Sequence, residues 1–165
     1  MACSPPTTKV EVRLEVWSDA DWARDHSNRR SRTGDLLVIN SSPVAWSSRL
    51  QGAVALSTAE AEFIALAETV RNAAWVREVL AELGQEQGNP TTFYQDHLGT
   101  IAWTEEVKGL RNVNHIGIKY HYVREMVVNN AVTFIYTPSA DNRADALTKV
   151  LIGQSFQVHQ GHLGV

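Results

Sequence analysis
The sequence predicts an α/β fold, a mixed sheet with helices on its faces. Three observations predict it. Residues 10–46 carry three successive strand signals, residues 58–83 change to helical periodicity, and residues 91–151 alternate strand and helix signals. A meander, one long helix and then alternating elements describe one layered unit, with no repeat, no low-complexity interior and no second domain.

Residues 10–18, Val-Glu-Val-Arg-Leu-Glu-Val-Trp-Ser, alternate apolar and polar at period two, as a half-buried strand does. Residues 24–34 are polar and basic, end at Gly34, and read as a loop. Leu36 to Ile39 is a second strand, Asn40-Ser41-Ser42-Pro43 a turn, and Val44-Ala45-Trp46 a third strand. In residues 58–83, Leu66, Val70, Ala73, Val76, Leu80 and Leu83 recur at steps of three and four, the stripe of an amphipathic helix. Ser57 and Glu60 form an S-x-x-E capping box at its start, and Gly84 ends it. After a loop at 85–90 come a strand at 91–95, a short helix near 98–107, a helix at 116–128, a strand at 131–137 and a last helix at about 141–151. Residues 1–9 are Pro/Thr/Ser-rich and read as a disordered tail, so the domain is residues 10–165.

Composition narrows the class. A chain of 165 residues, 44% hydrophobic and 20% charged, can bury a core. No apolar run approaches the ~20 residues of a membrane span, and no signal peptide is recognisable, so the expectation is an intracellular, cytoplasmic domain without a membrane. The single cysteine, Cys3, excludes an internal disulfide or a thiolate cluster. A formal charge of −3 argues against a stand-alone protein that holds nucleic acid by bulk positive charge.

Several acidic residues fall where the pattern asks for apolar ones. Asp19 and Asp21 close the first strand and share a face; a solvated strand end looks the same. Glu60 and Glu62 lie about 200° apart on the helix. Glu60 serves the cap, whereas Glu62 heads the buried stripe, where a carboxylate is costly unless compensated or placed at the rim. Asp96 follows a strand at its C-terminal end, where α/β sheets hold ligands, and also suits a helix N-cap. Asp145 falls in the first turns of the last helix, where a negative charge is favourable in any case. Carboxylates brought together repel, and divalent cations with oxygen preference, Mg²⁺ or Mn²⁺, relieve that repulsion.

At these residues the chain resembles the ribonuclease H domain of copia-type long-terminal-repeat retrotransposon polyproteins. The matching stretches are Trp17-Ser-Asp-Ala-Asp-Trp22, Val54-Ala-Leu-Ser-Thr-Ala-Glu-Ala-Glu-Phe-Ile-Ala-Leu66, Phe93-Tyr-Gln-Asp96, His115-Ile-Gly-Ile-Lys-Tyr-His-Tyr-Val-Arg-Glu125 and Asn142-Arg-Ala-Asp-Ala-Leu-Thr-Lys149, in order over roughly residues 16–165. The resemblance implies a ribonuclease H-like fold, a five-stranded mixed sheet flanked by helices on both faces, and hydrolysis of the RNA strand of RNA/DNA hybrids. It implies Asp19, Glu62, Asp96 and Asp145 as both catalytic residues and metal ligands, with two Mg²⁺ or Mn²⁺ ions. Asp19 would bridge them, Asp145 would share the ion that activates water, and Glu62 and Asp96 the ion at the leaving oxygen. The products would carry 5′ phosphate and 3′ hydroxyl ends. A reverse transcriptase domain of the same polyprotein is the implied partner, with a virus-like particle as the setting of an active element. His97, Asn114 and Gly117 depart from the residues usual in such relatives, and Thr137 to Ala144 holds no histidine to shuttle protons.

Other features carry weaker signals. Ser57 and Thr58 stand where a helix start can meet a phosphate or sugar, or simply cap. Arg30, in Arg29-Arg30-Ser31-Arg32, can reach backbone phosphate or lie in a solvated loop. His115 and His121 lack a third zinc ligand at suitable spacing. Trp75 and Trp103 fit core or subunit contacts, and Trp17 and Trp22 flank the acidic strand end. One rival reading is a catalytically weak or inactive hybrid-binding or scaffolding domain derived from a retroelement. The other is an integrase-like DNA-cutting enzyme, a class that typically ends its acid set with glutamate rather than aspartate.

Overall fold
The computed structural model describes residues 11–25, 27–105, 116–151 and 153–163. The tail at 1–9, Cys3, Asn114 and His115 lie outside the described residues. Five strands form one sheet: β1 (Leu14–Asp21), β2 (Arg32–Ile39), β3 (Ser42–Leu50), β4 (Thr91–Gln95) and β5 (Val132–Tyr136). Their order is β3-β2-β1-β4-β5, antiparallel across β3, β2 and β1, and parallel across β1, β4 and β5. The parallel pairs follow because α1 (Thr58–Glu82) connects the meander to β4, and α2 (Leu98–Glu105) and α3 (Gly117–Val128) lie between β4 and β5.

The period-two alternation sorts each strand's side chains onto two faces. Val16, Leu37 and Phe93 face one way and are completely or almost completely buried with Ala61, Phe63, Leu66 and Val70 of α1. Burying side chains of this size contributes about 1.5–3 kcal/mol each. Trp17, Leu36 and Val38 face the other way and pack with Ala144 and Leu147. The two cores explain helices on both faces. No described helix is long and apolar enough to cross a membrane.

Local chemistry sets the element ends. Asn40 (φ 47°) and Ser41 (φ 70°) join β2 to β3 as a two-residue hairpin turn, which needs positive φ at both positions. Ser57 Oγ accepts from the Glu60 amide, and Glu60 Oε2 reaches back to the Leu56 amide. At the other end of α1, Gly84 (φ 74°) turns the chain, and the Gln85 amide donates to Leu80 O at 2.8 Å.

Several expectations need correction. The first strand runs to Asp21, so Asp19 and Asp21 are inside it. The expected loop at 24–34 gives way to strand at Arg32, because Gln51 and the β3 backbone pair with residues 31–34. Leu83, read as part of the buried stripe, is exposed; of the two tryptophans read as core or subunit contacts, Trp103 packs against Phe63, and Trp75 lies outside this chain's core. The single last helix is instead a 3-10 turn at Ser139–Asp141, a four-residue α4 (Asp145–Thr148) and a separate α5 (Gln154–Leu163). Asn142 makes the break. Its side chain is fully buried, accepts from the Ala144 amide and donates to Ser18 O, which pins the chain to β1 where a longer helix would continue.

Gly34 decides how close α4 comes to the sheet. It pairs with Asp19 across β1 and β2, and a Cβ there would stand 2.7 Å from Thr148 Cγ2 and 3.0 Å from both Ala144 O and Leu147 Cβ. Gly34→Ala is therefore expected to lower unfolding free energy by about 1–3 kcal/mol, as overpacking does. Gly52→Ala, where a Cβ meets nothing within 4 Å, is the control. Chemical denaturation of the two variants checks this; equal stability would show that α4 yields at no cost.

Candidate metal centre
Three carboxylates that are distant in sequence meet at the C-terminal ends of β1 and β4. Asp19 comes from β1, Asp96 from the residue after β4, and Asp145 from the first residue of α4. One oxygen of each lies within 4.8 Å of one from each of the others. Asp19 is 1% exposed, while Asp96 and Asp145 are half-buried at the mouth. Glu62 lies just beneath, on the second turn of α1. It is buried, accepts from the Ala20 backbone and from Gln95 Nε2 at 3.4 Å, and feels the charges of Asp19 and Asp96. All four candidate acids thus belong to one neighbourhood, with Glu62 outside the tightest group of three. Asp21, although on the same strand face, is turned to Arg24 at 3.2 Å.

The supporting shell is polar and specific. The Thr148 hydroxyl donates to Asp19 Oδ2. Gln95 is fully buried and works in two directions: Oε1 accepts from the Asp96 amide at 2.9 Å while Nε2 reaches Glu62. Ser139 Oγ donates to Asp96 Oδ2. Asp96 is thereby not the cap of α2. That place belongs to His97, whose Nδ1 accepts from the Thr100 amide at 3.1 Å. Lys149 completes the site, its ammonium on Asp145 Oδ1 and 3.7 Å from Asp19 Oδ2. Behind it, Trp17 stacks on Tyr94 with ring centroids 4.6 Å apart, and the Arg143 guanidinium sits 4.5 Å above Trp17.

Gln95, Thr148, Lys149, Asn142 and Gly34 were not singled out by sequence reasoning. Thr148 and Lys149 carried a signal, because they lie three and four residues after Asp145 and so share its face of a helical turn. Ser57 and Thr58 are exposed at the start of α1. Arg30 is exposed, and with Arg24, Arg32, Asp21 and Asp25 it lines a groove that reaches Thr148. Trp22 is partly exposed, its indole donating to Ala55 O. His121 is exposed, and the partner proposed for it in a zinc pair, His115, is outside the described residues.

The electrostatics follow from burial. Desolvation raises the Asp19 pKa, Lys149 and the Thr148 hydroxyl draw it back, and Asp145 and Asp96 push it up, leaving it at about 6 against an ordinary 3.8. Burial, then Asp19 and Asp96, push Glu62 well above its ordinary value. Burial pulls Lys149 down, but its bond to Asp145 and the surrounding carboxylates outweigh this and leave it raised. The folded chain therefore keeps the Asp19 proton to a higher pH than the unfolded chain does. Through Asp19, the cation-free protein loses stability as pH rises from about 4 to about 6, where that group's share of the loss is complete. Asp19→Asn is expected to stabilise the cation-free chain by about 3 kcal/mol at pH 8, with the gain vanishing toward pH 4. Denaturant melts at both pH values check this; a pH-independent difference would contradict the assignment.

No family model matches the chain. The chain is 36% identical over 152 residues to the retrovirus-related Pol polyprotein of transposon TNT 1-94 from Nicotiana tabacum, a match covering 92% of this chain. It is 33% identical over 154 residues to that of transposon RE1 from Arabidopsis thaliana, covering 93%. It spans only 11% and 10% of those polyproteins. Among solved structures, it superposes on the N-terminal RNase H domain of Rv2228c from Mycobacterium tuberculosis with a TM-score of 0.61 at 13% identity, covering 91% of this chain and 97% of that one. LC11-RNase H1 in complex with an RNA/DNA hybrid gives 0.60 at 14% identity, with 82% and 93% covered. The foamy viral protease-reverse transcriptase in complex with a hybrid also gives 0.60 at 14% identity, covering 94% of this chain and 20% of that one. The chain is thus a homologue of one segment of the Pol polyproteins of copia-type transposons, and its fold is that of ribonuclease H.

Proposed function
We propose that this domain hydrolyses the RNA strand of RNA/DNA hybrids, using divalent cations held by Asp19, Glu62, Asp96 and Asp145. The observation that carries the reading is the convergence of Asp19, Asp96 and Asp145 within 4.8 Å, with buried Glu62 against them. Such a set fits a hard cation. Every donor is a carboxylate oxygen, no soft ligand is present among them, and burial first, then neighbouring carboxylates, raise the pKa of Asp19 and Glu62, a cost of holding charge there that a cation relieves. Two Mg²⁺ or Mn²⁺ ions bound there would supply Lewis acidity for the attacking water and the leaving oxygen.

The chain's own residues do the holding and aiming. Thr148 fixes the Asp19 carboxylate, Ser139 fixes that of Asp96, and Gln95 keeps Glu62 in register with the Asp96 backbone. In the reaction, a water oxygen bonds to phosphorus and the bond from phosphorus to the 3′ oxygen breaks, giving 5′ phosphate and 3′ hydroxyl ends. Ser57, Thr58 and the exposed Arg30 are the groups proposed to meet the sugar-phosphate backbone. The hybrids in the LC11 and foamy virus structures support this substrate. The formal charge of −3 leaves much of the duplex grip to another segment, and a reverse transcriptase segment of the same polyprotein is the proposed partner.

Labelled hybrid, offered beside duplex DNA in Mg²⁺ and in Mn²⁺, tests the reaction. The native chain should cut only the RNA strand of the hybrid, and Asp96→Asn should be slower by roughly a hundredfold or more. Equal rates would remove Asp96 from the site; cation binding and hybrid binding without cleavage would favour an inactive hybrid-binding domain. Separately, Arg30→Gln should weaken hybrid binding and reduce the salt slope by about one unit. An unchanged slope, measured by titration at several salt concentrations, would place Arg30 off the backbone.

A further inference from the structure
The acid cluster already contains a cation of its own. Lys149, four residues beyond Asp145, leaves α4 in extended backbone (φ −114°, ψ 150°), and its side chain turns back over the helix. The ammonium contacts Asp145 Oδ1 and stands 3.7 Å from Asp19 Oδ2, the same oxygen that takes the Thr148 hydroxyl. Its side chain is 32% exposed, against 1% for Asp19 and 14% for Asp145. The head is therefore anchored inward while its stem has open water to move into. Among the described residues, the other lysine, Lys119, is bound to Glu68 at 2.9 Å, away from this site.

We propose that Lys149 is a built-in counter-ion, which holds Asp19 and Asp145 together in the cation-free chain and must be displaced by the divalent cation they would take. The inference rests on the metal-site reading above. Two like-charged carboxylates at this separation need a positive charge between them, and an ammonium competes directly with a metal for their oxygens. Lys149 is thus a positioning residue that assembles the site in advance and weakens its first cation in exchange.

Mn²⁺ titration by calorimetry, without nucleic acid and at low ionic strength, tests this on the whole chain. Lys149→Met should melt at a lower temperature than the native chain without cation, yet bind Mn²⁺ more tightly. The gain expected is roughly tenfold, the scale for one partly screened unit charge a few ångströms from the ion. Lys149→Arg keeps the charge and should stay near the native affinity. Lys149→Gln, which can still donate to Asp145, should follow Met and guards against a folding defect peculiar to Met. A purely structural pair would lower melting in Met and Gln while leaving Mn²⁺ affinity unchanged, and that result, or weaker binding, overturns the proposal while the metal site stands. If the native chain takes up no Mn²⁺ beyond nonspecific salt effects, the metal-site reading and this inference fail together.

Discussion
Four carboxylates gathered at the C-terminal ends of the sheet's inner strands β1 and β4, two of them almost fully out of water, are the constraint around which this molecule is arranged. A buried carboxylate is expensive, and like charges nearby raise the expense further. The chain tolerates Asp19 because a threonine hydroxyl and a lysine ammonium are delivered to the same oxygen. Thr148 is the last residue of one short helix and Lys149 the residue that follows it. The position of that helix against the sheet is thus as important to the site as any of the acids.

What places the helix is a set of small, unremarkable residues. Gly34 leaves the room that Thr148 occupies, directly across the ladder from Asp19. Asn142 spends both ends of its amide on tying the approach to α4 to the β1 backbone. Arg143 lies over Trp17, whose other neighbour is Tyr94 of β4. Parallel pairing of β1 with β4 brings Asp19 and Asp96 to the same sheet edge, since parallel strands end together. An antiparallel neighbour there would have carried Asp96 to the opposite end. The α1 crossover that makes the parallel pair possible also lays Glu62 over that edge.

Much of the fold could be read from periodicity because each regular element has one dry face and one wetter face. The long helix, its cap and its glycine stop were legible for this reason, as were the strands at 91–95 and 131–137. The limits of β2 and β3 were not. Arg32, Thr33, Ser47 and Ser48 look like loop residues, and they join the sheet because pairing between strands supplies what their side chains do not. The final helix differs because a buried asparagine accepts from the Ala144 amide and ties the chain to Ser18 O, which breaks the run in a way periodicity does not register. Trp75 shows the other side: helical periodicity alone does not separate a core aromatic from an exposed one, and Trp75 lies outside the chain's own core.

For the site, the residue types and their resemblance to a known pattern named the four acids, and chemistry alone suggested a hard cation. Sequence by itself therefore determined the ingredients: which carboxylates lie at strand ends and helix starts, and which elements carry them. Only the tertiary structure decided that they meet, that Glu62 sits a step behind the other three, and that Lys149 stands among them. The physical reason is that charge interactions depend on distance through space. Spacing along a chain reports that distance only within one helix or strand, and this site draws on two strands and two helices.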